Sequence, residues 1–422
     1  MTPLSLARSL TRSFVKAMPW CILVHHHLAQ GGCGWLELSA TSPCLRRSGA
    51  RLRRGKCTEM GSNPTGTATA QKTPASAGAF FIAEGDAVVL QDVVMETALA
   101  AVATRPGAAH LVTRVEPVLL PPRAPGSVRL RMLAAPINPS DLITIAGTYS
   151  RTVFPFRPGF EGVGEVVEAD GDAGLRLGSR VVPVRSAGSW SSVRDVAVGD
   201  CIAVPADIPL DQAATSFVNP LTAITAVEQF VTDRRPVVVT AASSTIADHF
   251  AALLAEVGAP AVGVVRSSRS RVRRPELWSA IVPSDAEDWR IRLGSAAADA
   301  QVVFDAVGGD HAAVVMETLA RAKLLVSYGL LSGEPIDTTR LRPRVALRFL
   351  HLRALVHDGD PTLLRRRFDR AFALIRGGVL HTDIASTVPL CDITTALEHG
   401  GRGGGKTLLR VSGPTVRCSR GR

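Results

Sequence analysis

Between residues 135 and 164 the chain reads Ala135-Pro136-Ile137-Asn138-Pro139-Ser140-Asp141-Leu142, then Gly147-Thr148-Tyr149, then Pro158-Gly159-Phe160-Glu161-Gly162-Val163-Gly164. Asn138-Pro139-Ser140-Asp141 has the composition of a turn, in which proline fixes one backbone angle and Asn, Ser and Asp bond back to the main chain. Tyr149 follows in a glycine-flanked loop, a place where a polar side chain can face a cleft. It is one of two tyrosines, so its presence is not the accident of an aromatic-rich composition. A phenol donates both a hydrogen bond and a proton. Taken by itself, a lone tyrosine equally suits half-buried packing.

Outward from this run the chain falls into short alternating apolar segments punctuated by Pro and Gly: Leu111 to Leu119, Ser127 to Ala134, Gly162 to Glu168, Ser179 to Val184 and Val193 to Val198. Such spacing predicts a β-rich, barrel-like domain. Residues 79–109 are apolar enough to fold, as an insertion or an extended first hairpin. After Asn219-Pro220 the period changes. Val237 to Thr240, Ala261 to Val265, Gln301 to Asp305 and Leu324 to Tyr328 read as short buried strands, and His249 to Glu256 as a helical run. Strands alternating with helices predict right-handed βαβ units and a parallel sheet.

The 422 residues suffice for two domains with a substantial core. The formal charge of +11 suggests nucleic acid until it is located: up to residue 75 there are ten Lys/Arg against two acids, so most of the excess lies in the leader. Met1 to Met18 places Arg8, Arg12 and Lys16 at four-residue spacing among leucines, with no acid before Glu37, the pattern of a transit peptide. An extension upstream of the true start would read the same way. Gly61 to Gly78 has a linker composition. No run approaches the roughly 18 to 20 apolar residues a bilayer needs, and the seven cysteines form no CxxC pair. Recognisable nucleic-acid modules and interleaved aromatics are missing.

The opening run resembles the catalytic-domain signature of the medium-chain dehydrogenases/reductases, in the zinc-free branch that holds the mitochondrial trans-2-enoyl-CoA reductases. The resemblance spans roughly residues 110 to 412 and implies an α/β fold: a Rossmann parallel-sheet cofactor domain plus a GroES-like β-rich catalytic domain. The expected boundaries are 1–78 for transit peptide and linker, 79–220 for the catalytic domain, 221–357 for the Rossmann domain, 358–412 for a return to the catalytic domain, and 413–422 for a tail. Phe160 stands where zinc-dependent relatives keep a ligand histidine, so no metal is expected. Tyr149 stands where the branch keeps its catalytic tyrosine, which would stabilise or protonate the enolate formed when hydride reaches the β-carbon of an enoyl thioester.

For the cofactor, the resemblance points to the loop after the first Rossmann strand. Its two glycines fall on Thr245 and Ala247, leaving Ser243, Ser244, Thr245, Ile246 and Ala247 to meet a diphosphate. Thr245 is β-branched where backbone freedom is expected, and Asp248 would repel the phosphates. After the second strand, Arg266 and Ser267 suit a 2′-phosphate, with no acid along the chain until Glu276, which favours NADPH. Arg271, Arg273 and Arg274 leave open a solvated basic loop. Asn219 resembles the domain-junction motif, Val307-Gly308-Gly309 and Tyr328-Gly329 the turns lining the nicotinamide, Gly188-Ser189-Trp190 the branch's Gly-Thr-Trp, and Lys406 the closing Gly-Lys.

The resemblance thus implies an NADPH-dependent 2-enoyl thioester reductase of mitochondrial fatty-acid synthesis, in the matrix, acting on an enoyl-CoA or an acyl carrier protein substrate and pairing as a homodimer. Two alternatives stand: a quinone or enone reductase, because Ala354-Leu355-Val356 replaces the branch's Gly-Phe-Trp acyl-pocket run, and a non-catalytic relative with a degenerate cofactor loop. Arg342, Arg344, Arg348, Arg353 and Arg365-Arg366-Arg367 could meet coenzyme A phosphates or an acidic carrier, or form a solvated helix face.

Overall fold

The computed structural model describes residues 78–84, 87–93, 96–148, 152–171, 173–399 and 404–412. The chain divides into two compact units, Met1–Pro74 and Ala75–Arg422, and the described residues belong to the second. The leader and most of the linker therefore lie outside the described residues, as does Tyr149.

Six parallel strands form one sheet in the order Ala280–Pro283, Ala261–Val265, Val237–Thr240, Val302–Asp305, Leu324–Ser327, Ala346–Phe349. The apolar runs of the four central strands are largely buried because helices cover both faces. Val237 and Val239 point into the core shared with the helices Val218–Phe230, Thr245–Glu256 and Pro361–Arg376, whereas Val238 points to the other side, toward Leu293, Val315 and Met316. Period-two alternation within a run that is apolar throughout thus builds two cores at once.

Seven strands form a second, mixed sheet. Its order is Ile384–Pro389, Lys406–Arg410, Ser127–Pro136, Val163–Glu168, Arg180–Pro183 and Cys201–Ala203, with Val193–Ala197 also pairing with Ser127–Pro136. The late strand Lys406–Arg410 lies antiparallel to Ser127–Pro136, Leu409 opposite Ala135, so the end of the chain closes the sheet formed by its first half. The segment 79–109 supplies a hairpin, Gly78–Glu84 with Ala87–Val93, and the strand Glu96–Ala103, which pairs with Thr113–Leu120. A short helix, Ala109–Val112, precedes that last strand, where the alternation had suggested strand from Leu111. Among the described residues no helix is long and apolar enough to cross a membrane.

Candidate functional site

The ends of the parallel strands carry the site. Thr240, fully buried, donates its hydroxyl to Asp305 Oδ1 at 2.8 Å and accepts the Ala306 N–H at 3.0 Å. Asp305 in turn accepts the Gly308 N–H at 2.8 Å and the Val307 N–H at 3.3 Å, locking two adjacent strand ends together. Burial raises the Asp305 carboxyl, and the Thr240 hydroxyl and the Gly308 N–H pull against it.

After Thr240 the backbone turns at Ala241, whose φ of +52° is left-handed, and the helix starts at Thr245 with Ser244 at its N-cap. Thr245 is therefore an ordinary first helical residue. The conformational demand has moved four positions upstream, which answers the objection that a β-branched side chain cannot stand there. Close packing is obtained from the neighbouring strand, since a Cβ on Gly263 would lie 2.7 Å from that of Ala242. Among the described residues the N–H groups of Thr245 and Ile246 have no acceptor and the buried Ser244 hydroxyl has no partner. A helix start so provided attracts an anion. Ala247 is fully buried behind it.

Asp248 does not confront that site as a bare charge. It is 4% exposed and accepts from Arg273 Nε at 2.7 Å. Arg273 Nη1 also donates to the carbonyls of Ser243 at 3.1 Å and Gly404 at 2.7 Å. One arginine thus neutralises the acid, fixes the loop at Ser243 and ties it to the end of the chain. The reading of Arg273 as part of a solvated basic loop is corrected by these bonds, which hold its side chain to 9% exposure.

At the end of the second strand Arg266 is exposed, and Ser267 donates its hydroxyl to Asp285 Oδ2 at 2.7 Å. Asp285 Oδ1 also accepts the Ser268 N–H at 2.9 Å. The chain offers no acid between Val265 and Glu276, but the parallel register that sets Val265 opposite Pro283 brings one in from the next strand. Asp285 is the residue that sequence reasoning missed. Farther along the sheet, Tyr328 packs its ring on Phe250 with centroids 5.0 Å apart, and its buried hydroxyl has no partner among the described residues. Burial, with Asp305 nearby, pushes that phenol upward, so it remains a neutral donor.

Lys406 and Asn219 belong to the junction with the mixed sheet. Lys406, 6% exposed, donates to Asn138 Oδ1. Asn138 Nδ2 donates to Glu161 Oε2 at 2.8 Å, and Glu161 Oε1 accepts the N–H groups of Phe217 and Val218, both at 2.8 Å. Asp141 accepts from the backbone of Asn138 at 3.0 Å, Gly159 at 3.2 Å and Phe160 at 3.1 Å. Burial pushes the Asp141 carboxyl up to about 7 and lowers the Lys406 ammonium, which Glu161 and Asp141 hold up. The Lys406 charge is engaged by these protein groups, a clamp of the turn 138–141, the loop 159–161, the helix at Val218 and the last strand, where a cofactor contact had been expected. Asn219, one residue into that helix, is 9% exposed and its amide has no partner among the described residues.

Phe160 packs on Phe156, centroids 6.1 Å apart, and among the described residues no three His, Cys, Asp or Glu side chains gather as a metal site. Two arginines of the carboxyl-terminal cluster turn inward: Arg342 donates to the carbonyls of Leu319 at 2.6 Å and Ala322 at 3.0 Å, and Arg367, 5% exposed, pairs with Glu228 at 3.4 Å.

The profile of the alcohol dehydrogenase GroES-like domain matches residues 124–207. The mitochondrial enoyl-[acyl-carrier-protein] reductase of Homo sapiens is 30% identical over 286 residues, 64% of this chain and 77% of that protein. Its counterpart in Arabidopsis thaliana is 31% identical over 312 residues, 69% of this chain and 82% of that protein. The Escherichia coli quinone oxidoreductase crystallised with NADPH is 24% identical and superposes with a TM-score of 0.66, over 74% of this chain and 99% of that one.

Proposed function

Because the chain belongs to the medium-chain dehydrogenase/reductase superfamily of oxidoreductases, we propose that it reduces 2-enoyl thioesters with NADPH, as an enzyme of mitochondrial fatty-acid synthesis. The observation that carries the cofactor is the helix start at Thr245, where N–H groups and a buried hydroxyl that have no partner among the described residues converge at the edge of a parallel sheet and the nearby acid is already neutralised. Ser243 to Ala247 would hold the diphosphate, Arg266 the 2′-phosphate, and Asn219 and the Tyr328–Gly329 turn the nicotinamide end. When bound there, the cofactor supplies the hydride. Tyr149 donates a hydrogen bond to the thioester oxygen, where negative charge develops as the β-carbon is reduced, or delivers the proton that the α-carbon must then receive. The acceptor class is supported by the identity shared with mitochondrial enoyl-[acyl-carrier-protein] reductases.

The test follows loss of reduced-nicotinamide absorbance with purified protein, NADPH and crotonyl-CoA or longer enoyl-CoA. Turnover is expected, with a loss of roughly 10²-fold or more in Tyr149→Phe if the phenol is the general acid. Undiminished activity in that variant removes the residue's role. A quinone panel in the same assay addresses the second reading, favoured by Ala354-Leu355-Val356 in the pocket run: quinone turnover with no enoyl-CoA turnover would replace the proposal.

A further inference from the structure

Arg194 is the one buried guanidinium on the mixed sheet for which no carboxylate partner is found among the described residues. It is 7% exposed. Its hydrogen bonds go to two hydroxyls, Nη1 to Ser189 Oγ at 3.1 Å and Nη2 to Ser186 Oγ at 2.6 Å. Its electrostatic neighbours are another cation, Arg157, which is exposed and has no carboxylate partner among the described residues, and the buried Cys201 thiol, which pulls the other way but is itself pushed up to about 12 by burial and so carries no charge to offset it. Burial first, and Arg157 second, push the Arg194 guanidinium down to about 10. The contrast is with Arg129 on the same sheet, which meets Asp195 at 2.9 Å and Glu96 at 2.7 Å. An uncompensated buried charge is costly and persists where something completes it.

The loop that meets Arg194 is held in an unusual shape. Arg185 has a φ of +64°, rare for a residue with a side chain, and is kept there by its own bonds, Nε to the Val356 carbonyl at 2.7 Å and Nη1 to Asp200 at 2.9 Å. Gly188 follows with a φ of +107°, and a Cβ there would lie 3.8 Å from the Arg194 guanidinium carbon. On its other side the loop bonds to the catalytic-domain run, Ser189 N–H to Gly159 O at 3.0 Å and Trp190 N–H to Pro158 O at 3.2 Å. It therefore spans from that run to the helix bearing Ala354-Leu355-Val356. Strained backbone of this kind concentrates where a ligand is received.

We propose that Arg194 and Arg157, with the hydroxyls of Ser186 and Ser189, form a binding site for an oxyanion, a phosphate or a carboxylate. The group comes either from a free anion in solution or from the acceptor itself. The second source rests on the reductase reading, whereas the existence of the site does not.

The test measures melting temperature and calorimetric binding of inorganic phosphate by the full chain, against sodium chloride at equal ionic strength and without any nicotinamide or acceptor. The parent is expected to gain melting temperature with phosphate and not with chloride. Arg157→Gln, a change at an exposed residue, should keep the phosphate-free melting temperature and lose roughly tenfold in phosphate affinity, as removal of a charge-assisted partner implies. Arg194→Met should lose the response. A parent that responds to phosphate no more than to chloride, or an Arg157→Gln variant that binds phosphate like the parent, overturns the proposal. In turnover assays, competition between phosphate and an enoyl-CoA that disappears in Arg157→Gln assigns the site to the acceptor's own anion, and non-competitive action assigns it to a free effector.

Discussion

Replacing Lys406 by Met separates a clamp from a cofactor contact. In the structure the ammonium is 6% exposed and lies with Asn138 among Glu161 and Asp141. Methionine keeps most of the length of the side chain and removes the charge, leaving Glu161 and Asp141, both pushed upward by burial, without the cation that holds them down. Breaking a buried ionic network by removing one partner costs about 3–5 kcal/mol. For a folded unit of this size each kcal/mol moves the midpoint by roughly 2 °C, so a drop of about 6–10 °C is expected. Scanning calorimetry without cofactor reads it. A nicotinamide-fluorescence titration well below the transition should find NADPH affinity within about twofold of the parent, because the charge is spent inside the protein. A lysine that instead held a dinucleotide phosphate would give the reverse: an unchanged midpoint and a large loss of affinity. That pair of results would refute the clamp.

Two further perturbations follow from the same edge of the sheet. Asp285→Ala frees the Ser267 hydroxyl and the Ser268 N–H and removes a negative charge from the expected 2′-phosphate position, so NADPH should bind several-fold tighter at low salt while NADH changes little; equal changes for both cofactors would show that Asp285 does not govern the choice. His249, 1% exposed, contacts Thr382 Oγ1 at 3.4 Å, and burial, with Lys406 and Arg273 beside it, holds its ring down to about 3. The unfolded chain takes up that proton near pH 6.5 and the folded one does not, so stability present above pH 6.5 is lost as pH falls toward 3. In urea melts from pH 7 to 4 the parent should lose stability faster than His249→Gln, and parallel curves would contradict the assignment.

How much of this was legible depends on the separation between interacting residues. Val237–Thr240 and Ala261–Val265 are strands over the ranges that their valine runs mark, because a short apolar run between turn residues encodes its own structure. The turn at Asn138-Pro139 behaves likewise, with Asp141 reaching back to the Asn138 N–H. The cofactor loop was only half legible. Loss of glycine at 245 and 247 says that the backbone differs from the family pattern, but not that the left-handed residue has become Ala241, nor that the neighbouring strand comes close enough at Gly263 for a Cβ there to meet Ala242.

Charge is where local reading fails most instructively. Arg273 and Arg271 look alike in the sequence, as do Arg367 and Arg365, yet Arg273 and Arg367 are drawn in against Asp248 and Glu228. Arg273 lies 25 residues from its acid and Arg367 lies 139 residues away, and sheet register and helix packing, invisible in composition, make the introductions. Asp285 reaches Ser267 by the same route. Once these pairings are made, the basic residues sort into cations whose counter-charge the fold supplies and those for which it does not. Arg194 belongs to the second kind while being as buried as the first. A chain that pairs Arg129, Arg273 and Arg367 has the means to place an acid beside a buried guanidinium. That it puts two serines and a second arginine there instead is the physical ground for expecting the missing charge to arrive with a ligand.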